Sequence, residues 1–255
     1  MTMEWQRQRF AAFDLETTGT KAGEDRITEL GVAIFEGGVV VDRFQRLVNP
    51  GIPIPEEVQR VTGISDADVA DAPRLEDVLD EFLELLCAQP ILAYNAQFDL
   101  AMLGGELERL GRADAVLPDC YDPFPFCWVY LRSEKKTRNA QLGTICAYMG
   151  IELESAHRAD HDAEAAGRLF LAMAEHMVIP DSASAFLDQQ RGLSARVEED
   201  FRRMRARRGE NRGSLDVSTL TVELGAAYVY GEESDAIRFL YSRLPDVRDV
   251  ARSST

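Results

Sequence analysis

The sequence predicts an α/β chain in which a mixed central sheet is covered by helices. Three observations carry that reading: three β-rich segments follow one another near the N-terminus, an amphipathic helix leads into a further short strand, and three more helical segments come after it. The first three segments are RFAAFDLE, ITELGVAIFEGG and VVVDRFQRLVNP, rich in Val, Ile and Phe, with Gly37 and Gly38 turning the second into the third, so an antiparallel meander is expected. After the proline-rich loop NPGIPIP, LEDVLDEFLELLC places Leu75, Val78, Leu79, Phe82, Leu83 and Leu86 at helical spacing just past Pro73. PILAYN is the short strand. FDLAMLGGELERLG, NAQLGTICAYMG and ADHDAEAAGRLFLAMAEHM read as helices, the last ending before Pro180.

Residues 1–180 are therefore expected to form one domain, and residues 181–255 an extension of different character. In the extension, Phe186, Leu193, Val197, Phe201 and Met204 form an apolar stripe, the mark of a long amphipathic helix that needs a surface to pack on. ENRGS breaks it, and Leu220–Pro245 reads as a helical hairpin turning at Gly231, although Leu220, Val222 and Leu224 also alternate as a strand would.

Composition narrows the function classes. The chain has 255 residues, 45% hydrophobic, and no apolar run long enough to span a bilayer; its N-terminus MTMEWQRQRF lacks the apolar core of a signal peptide, so a soluble, cytoplasmic protein with no membrane contact is expected. Cys87, Cys120, Cys127 and Cys146 form no C-x-x-C pair and read as reduced, packed thiols. The net charge of −16 argues at first against a nucleic-acid partner, but it is local: the acids gather before residue 181, many between Glu56 and Glu84, and the extension is near neutral. Against them stand two basic clusters, one of Arg132, Lys135, Lys136 and Arg138, the other running from Arg202 to Arg212.

One stretch asks for chemistry. In FDLETTG, Asp14 and Glu16 end a strand two residues apart, so period-two alternation sends both carboxylates to one face, where they repel unless a cation neutralises them; such hard oxygen donors suit Mg²⁺ or Mn²⁺. Alone, the pair reads as two solvated strand-end acids. Further carboxylates change the balance: Asp99, in YNAQFDLAML, opens a helix directly after a strand, and in HRADHDAEA His157 precedes the helical Asp162 by five residues.

With these residues in order, the chain resembles the DEDDh 3′→5′ exonucleases, the DnaQ-like group that includes the proofreading subunits of bacterial replicative DNA polymerases. D-x-E-T-T-G is met by Asp14 to Gly19, the second motif by Asn95, Phe98 and Asp99, and H-x4-D by His157 and Asp162, the likeness covering roughly residues 9–178. The resemblance implies a ribonuclease H-like fold. It implies that Asp14, Glu16, Asp99 and Asp162 hold two divalent ions, Mg²⁺ or Mn²⁺, with Glu16 bridging, and that His157 is the general base. It implies that Thr17 and Thr18 meet the 3′-terminal sugar, and that the product is a nucleoside 5′-monophosphate. Asn95 and Phe98 stand as substrate-binding residues with them, and Lys135, Lys136 and Arg138 are expected to hold the entering strand. The expected partner is a single-stranded 3′ end, DNA favoured over RNA, with a polymerase or other protein as a further partner of the extension. An exoribonuclease of the same fold and a non-catalytic scaffold are the alternatives.

Competing patterns are weaker. His157 and His161 stand four apart as in a zinc helix, but Arg158 occupies the place of the glutamate in H-E-x-x-H. SDADVADAP lacks the glycine and the final glutamate of a calcium loop and reads as a helix cap. Asp160 is expected at a helix start and His176 at a helix end.

Overall fold

The computed structural model describes residues 3–112, 115–153 and 157–208. Strands β1 (Phe10–Thr17), β2 (Ile27–Glu36) and β3 (Val39–Leu47) form the expected meander, joined between β2 and β3 by Gly37 and Gly38 at φ 64° and 86°, a left-handed turn that glycine adopts without steric cost. β1 runs antiparallel to β2, with Asp14 opposite Gly31 and Glu16 opposite Glu29. On its other side β1 is parallel to the short β4 (Ile91–Leu92), which pairs with β5 (Cys120–Tyr121), giving the sheet order β3-β2-β1-β4-β5. β1 is thus held by hydrogen bonds along both edges.

Helices α1 (Glu56–Thr62) and α2 (Asp66–Val69) fill the loop after β3; Ser65 and Asp68 make a reciprocal cap, so SDADVADAP is a helix start as expected. α3 (Leu75–Cys87) and α4 (Ala96–Arg109) cover one face of the sheet. Strand alternation sends Ala11, Phe13 and Leu15 of β1 and Leu30, Val32 and Ile34 of β2 to that side, where they meet the predicted α3 stripe and Met102, Leu103 and Leu107 of α4.

The other face receives Phe10 and Ala12 of β1 and Ala33 and Phe35 of β2, and α7 (Ala159–His176) lies across it through Ala163, Ala166, Phe170 and Met173. α7 can approach because Gly31 has no side chain: a methyl group there would overlap the Ala159 carbonyl group. Between β5 and α7 lie α5 (Phe124–Cys127), a single π-helical turn Trp128–Arg132, and α6 (Leu142–Tyr148). β5, α5 and the π turn were not expected, because short apolar runs carry no readable period. α6 is shorter than NAQLGTICAYMG suggests, since Asn139 and Gln141 hydrogen-bond to each other and close a loop before Leu142.

α8 (Ala183–Arg208) is the predicted amphipathic helix, and the surface it needs is the α7 face. Phe186 is fully buried, stacked on Phe126 at 4.4 Å and edge-on to Phe170 at 5.4 Å and Tyr121 at 5.9 Å; Leu193, Val197 and Phe201 continue the row. Residues on both sides of position 180 therefore share one core. The expected hairpin over 220–245 lies outside the described residues. The cysteines are free as expected, but Cys87 is exposed rather than packed, because it ends α3 off the apolar stripe. No described helix is long and apolar enough to cross a membrane.

Phe186→Ala removes a large side chain from a site where aromatic rings close in from several elements, and it is expected to cost about 3–5 kcal/mol of unfolding free energy in a denaturant titration. A loss below about 1 kcal/mol would mean that α8 is not an integral part of this core.

Candidate active site

Three elements meet at the C-terminal end of β1. Asp14 and Glu16 project from β1 toward α7, on the face where Glu29 also points. Asp99, in the first turn of α4, is tied to the same strand: its Oδ1 accepts the Leu15 N–H at 3.1 Å, between the two β1 acids. Asp162, in the first turn of α7, accepts the His157 N–H at 2.9 Å. His157 is exposed and left-handed (φ 68°), so the chain doubles back and brings its ring beside Glu16; one ligand atom each from Glu16, His157 and Asp162 lies within 4.8 Å of the others. His161 is not part of that group; its Nε2 lies 3.8 Å from Asp160. Asp160 opens α7 and His176 ends it, as expected.

The electrostatics are those of acids too close together. Burial, then the charges of Asp99, Asp162, Glu16 and Glu29, push Asp14 well above the usual carboxylate range. Glu16 is pushed up to about 8, chiefly by burial and then by Asp162, and Asp162 to about 6, chiefly by burial against the opposing pull of the His157 N–H and the two imidazoles. Asp99 is raised by burial despite its Leu15 hydrogen bond. Asp162 Oδ1 is buried with no hydrogen-bond partner among the described residues. Unsatisfied acceptors on crowded oxygen donors fit a hard divalent cation, which both neutralises the charge and fills the open valence.

The remaining expected site residues are placed differently. The Thr17 hydroxyl donates to Gly19 O at 2.5 Å, and Thr18 donates its N–H to Arg26 O at 2.8 Å while its hydroxyl accepts the Arg26 N–H at 3.0 Å. Both hydroxyls and the Thr18 N–H are therefore engaged in closing the turn after β1. Asn95 is buried at the left-handed corner that starts α4 (φ 65°), and Phe98 is half-buried one turn on. Lys135, Lys136 and Arg138 are exposed in the loop before α6.

Three supporting residues escaped the sequence reading. Glu29 is fully buried; its Oε1 accepts from Arg158 Nε and Nη2 at 3.1 and 2.8 Å, its Oε2 accepts the Ala159 N–H at 3.0 Å, and Gln45 donates to it as well. It pins the start of α7, and with it His157 and Asp162, to β2. Asp122 accepts the N–H groups of Asn95, Ala96 and Phe124 at 2.9, 3.1 and 2.9 Å, which fixes the corner ahead of Asp99, and burial raises it to about 7. Gln190 of α8 braces that corner, accepting the Asp122 N–H at 2.8 Å and donating to Cys120 O at 3.1 Å. An acid inside an apolar strand, as in ITELGVAIF, or inside an apolar run, as in CYDPFPF, is the signal that marks Glu29 and Asp122, since a buried charge is retained only with partners.

Raised carboxylates carry a pH signature in metal-free protein. Because the folded-state values lie above the ordinary 3.8 and 4.5, the folded chain binds protons more tightly than the unfolded chain; the associated stability is complete below about pH 4 and is lost as pH rises through about 6 and 8. In chelator, the melting temperature is expected to fall from about pH 5 to 8, the fall to flatten in Asp14→Asn, and Mg²⁺ or Mn²⁺ to restore the lost stability. A flat profile in chelator would show that the acids are not crowded.

The family model of exonucleases (RNase_T) matches residues 11–170. Among curated proteins, the chain is 36% identical over 169 residues to a PolC-type DNA polymerase III of Oceanobacillus iheyensis and 33% identical over 168 residues to that of Bacillus subtilis, in each case 66% of this chain. It spans only 12% of the length of these polymerases. Among solved structures, it is similar to exonuclease X in complex with 5′ overhanging duplex DNA (TM-score 0.52, 20% identity, 72% of this chain and 99% of that one). It is also similar to E. coli exonuclease I in complex with a dT13 oligonucleotide (TM-score 0.57, 18% identity, 66% and 41%). The family match spans all four carboxylates and His157, and the fold is that of the ribonuclease H-like exonucleases: the chain belongs to the exonuclease family, within the DnaQ-like 3′→5′ exonuclease superfamily.

Proposed function

We propose that this chain removes nucleoside 5′-monophosphates one at a time from the 3′ end of DNA. The observation that carries the reading is the convergence of Asp14, Glu16, Asp99 and Asp162 with His157 at one strand end, where burial first and neighbouring acids second raise the proton affinity of Asp14 and Glu16. Two Mg²⁺ or Mn²⁺ ions held by these four carboxylates would neutralise the scissile phosphate and lower the pKa of an attacking water. His157, exposed beside Glu16 and Asp162, would accept the proton that the attacking water gives up, a task an imidazole nitrogen can perform. The Asp162 carboxylate, by accepting the His157 N–H, fixes where that imidazole stands. Asn95 and Phe98 face the terminal nucleotide from the start of α4, and the tight turn at Thr17 to Gly19 gives the 3′-terminal sugar a rigid floor.

DNA is favoured because the curated relatives are named as DNA polymerases and the solved neighbours are described with DNA bound. The extension, residues 181–255, is proposed to engage a polymerase or another protein, in the cytoplasm. Degradation of matched 5′-labelled single-stranded DNA, mismatched duplex DNA and RNA, with Mg²⁺ or Mn²⁺, tests the substrate: RNA shortened faster than either DNA would overturn the DNA assignment.

Loss of one carboxylate is expected to abolish turnover while the protein stays folded. Near-wild-type activity of Asp14→Ala or Asp162→Ala in excess Mg²⁺ would sink the two-ion mechanism. The two histidines should separate: His157→Ala is expected to lower single-turnover cleavage by a factor of about 10² or more, and His161→Ala to change it little. Equal losses in both, with zinc released from each, would instead favour a zinc helix.

A further inference from the structure

Two basic clusters remote in sequence meet on the surface. The Arg132 guanidinium lies over the Trp128 ring at 4.2 Å, and its Nη2 is 3.8 Å from Met204 Sδ on α8. Trp128 itself packs against Phe201 at 4.5 Å and donates its indole N–H to Asp200 at 3.1 Å. The loop of residues 132–138 therefore starts against the last turns of α8. Helical spacing of about 100° per residue puts Arg196, Arg203 and Arg207 on one flank of the row formed by Asp200 and Met204, all three exposed. Arg203 is paired with Glu199 and Lys136 with Glu134, but among the described residues no carboxylate lies within ion-pair distance of Lys135, Arg138, Arg196 or Arg207. Two residues past the loop, Ala140 O accepts the hydroxyl of Tyr94 at 2.7 Å, and Tyr94 directly precedes Asn95 at the start of α4.

The backbone of the loop supplies an independent observation. Lys136 N–H bonds to Leu131 O at 2.8 Å and Lys135 N–H to Arg132 O at 3.0 Å, the pair of bonds that closes a helix end around a left-handed residue. That residue is Lys135, at φ 59°. Glycine is the low-energy occupant of such a position, and a lysine there strains the backbone while holding an ammonium out at the apex of the loop.

We propose that residues 132–138 and the Arg196, Arg203 and Arg207 flank of α8 form one basic track, which binds the phosphodiester backbone of the nucleic-acid strand whose 3′ end enters the site. The direction of the strand rests on the exonuclease reading above; the binding of a polyanion by the track does not. In a chain of net charge −16, these cations lie beside α8, on the sheet face opposite the one that α3 covers. The contacts are to phosphates, so binding is insensitive to base sequence and weakens with salt.

The test is equilibrium binding of a fluorescent single-stranded DNA of about twenty nucleotides to the full chain, in chelator so that nothing is cleaved, from about 50 to 200 mM salt. Arg203→Ala/Arg207→Ala is expected to bind about tenfold more weakly at the low-salt end, with the slope of log K against log salt reduced by about 0.7 for every phosphate that the protein no longer neutralises. Lys135→Gly should also bind more weakly while melting at a temperature raised by roughly 2–4 °C, an outcome a purely structural lysine cannot give. Unchanged affinity and slope in both variants, each shown folded by its melting curve, would overturn the track. Failure of the wild-type protein to shorten a trinucleotide in Mg²⁺ or Mn²⁺ would overturn the exonuclease reading instead, and leaves the binding result standing by itself.

Discussion

Four carboxylates are crowded at the end of a strand that cannot move, and most of the molecule serves that constraint. β1 is hydrogen-bonded to β2 on one side and β4 on the other, so Asp14 and Glu16 cannot swing apart to relieve their repulsion. Asp99 is drawn in by the Leu15 N–H between them, and Asp162 arrives on a helix that packs directly on the sheet. An arrangement in which each charge raises the proton affinity of the next is unfavourable by itself. It is maintained by apolar contacts on both faces of the sheet, whose summed burial is large beside the electrostatic cost.

Beneath the carboxylates lies a second set of polar contacts that aims them. Glu29 fixes the start of α7 through Arg158 and Ala159, and Gly31, opposite Asp14, leaves room for the α7 backbone to come that close. Asp122 fixes the start of α4 through three N–H groups, and Gln190 reaches from α8 to hold Asp122. α8 lies beyond residues 11–170, the span of the family match, yet it closes the aromatic core and braces the corner ahead of Asp99. α8, outside that match, is thus among the elements that hold the corner ahead of Asp99.

Much of this was legible in the sequence, for reasons of period and chemistry. The meander, α3, α4, α7 and α8 repeat apolar residues at 2.0 or 3.6 over enough positions to announce themselves, and Asp14, Glu16, Asp99, His157 and Asp162 sit at element ends where chemistry-bearing side chains stand out. β5, α5 and the π turn did not announce themselves, because each is shorter than the pattern that would reveal it. The Thr17 and Thr18 hydroxyls could not be placed either: a hydroxyl satisfies whichever partner is nearest, and only the folded turn brings Gly19 O and the Arg26 N–H within reach.

The sequence by itself determined the alternation that sends two acids to one face and the helical stripes, since these depend on spacing along one element. Only the tertiary structure decided that Glu29 holds Arg158 across 129 positions, that Gln190 holds Asp122 across 68, and that the 132–138 loop lies against the end of α8. Such pairings leave no local pattern. Each is set by how separate elements pack, and the packing is chosen by the whole core at once.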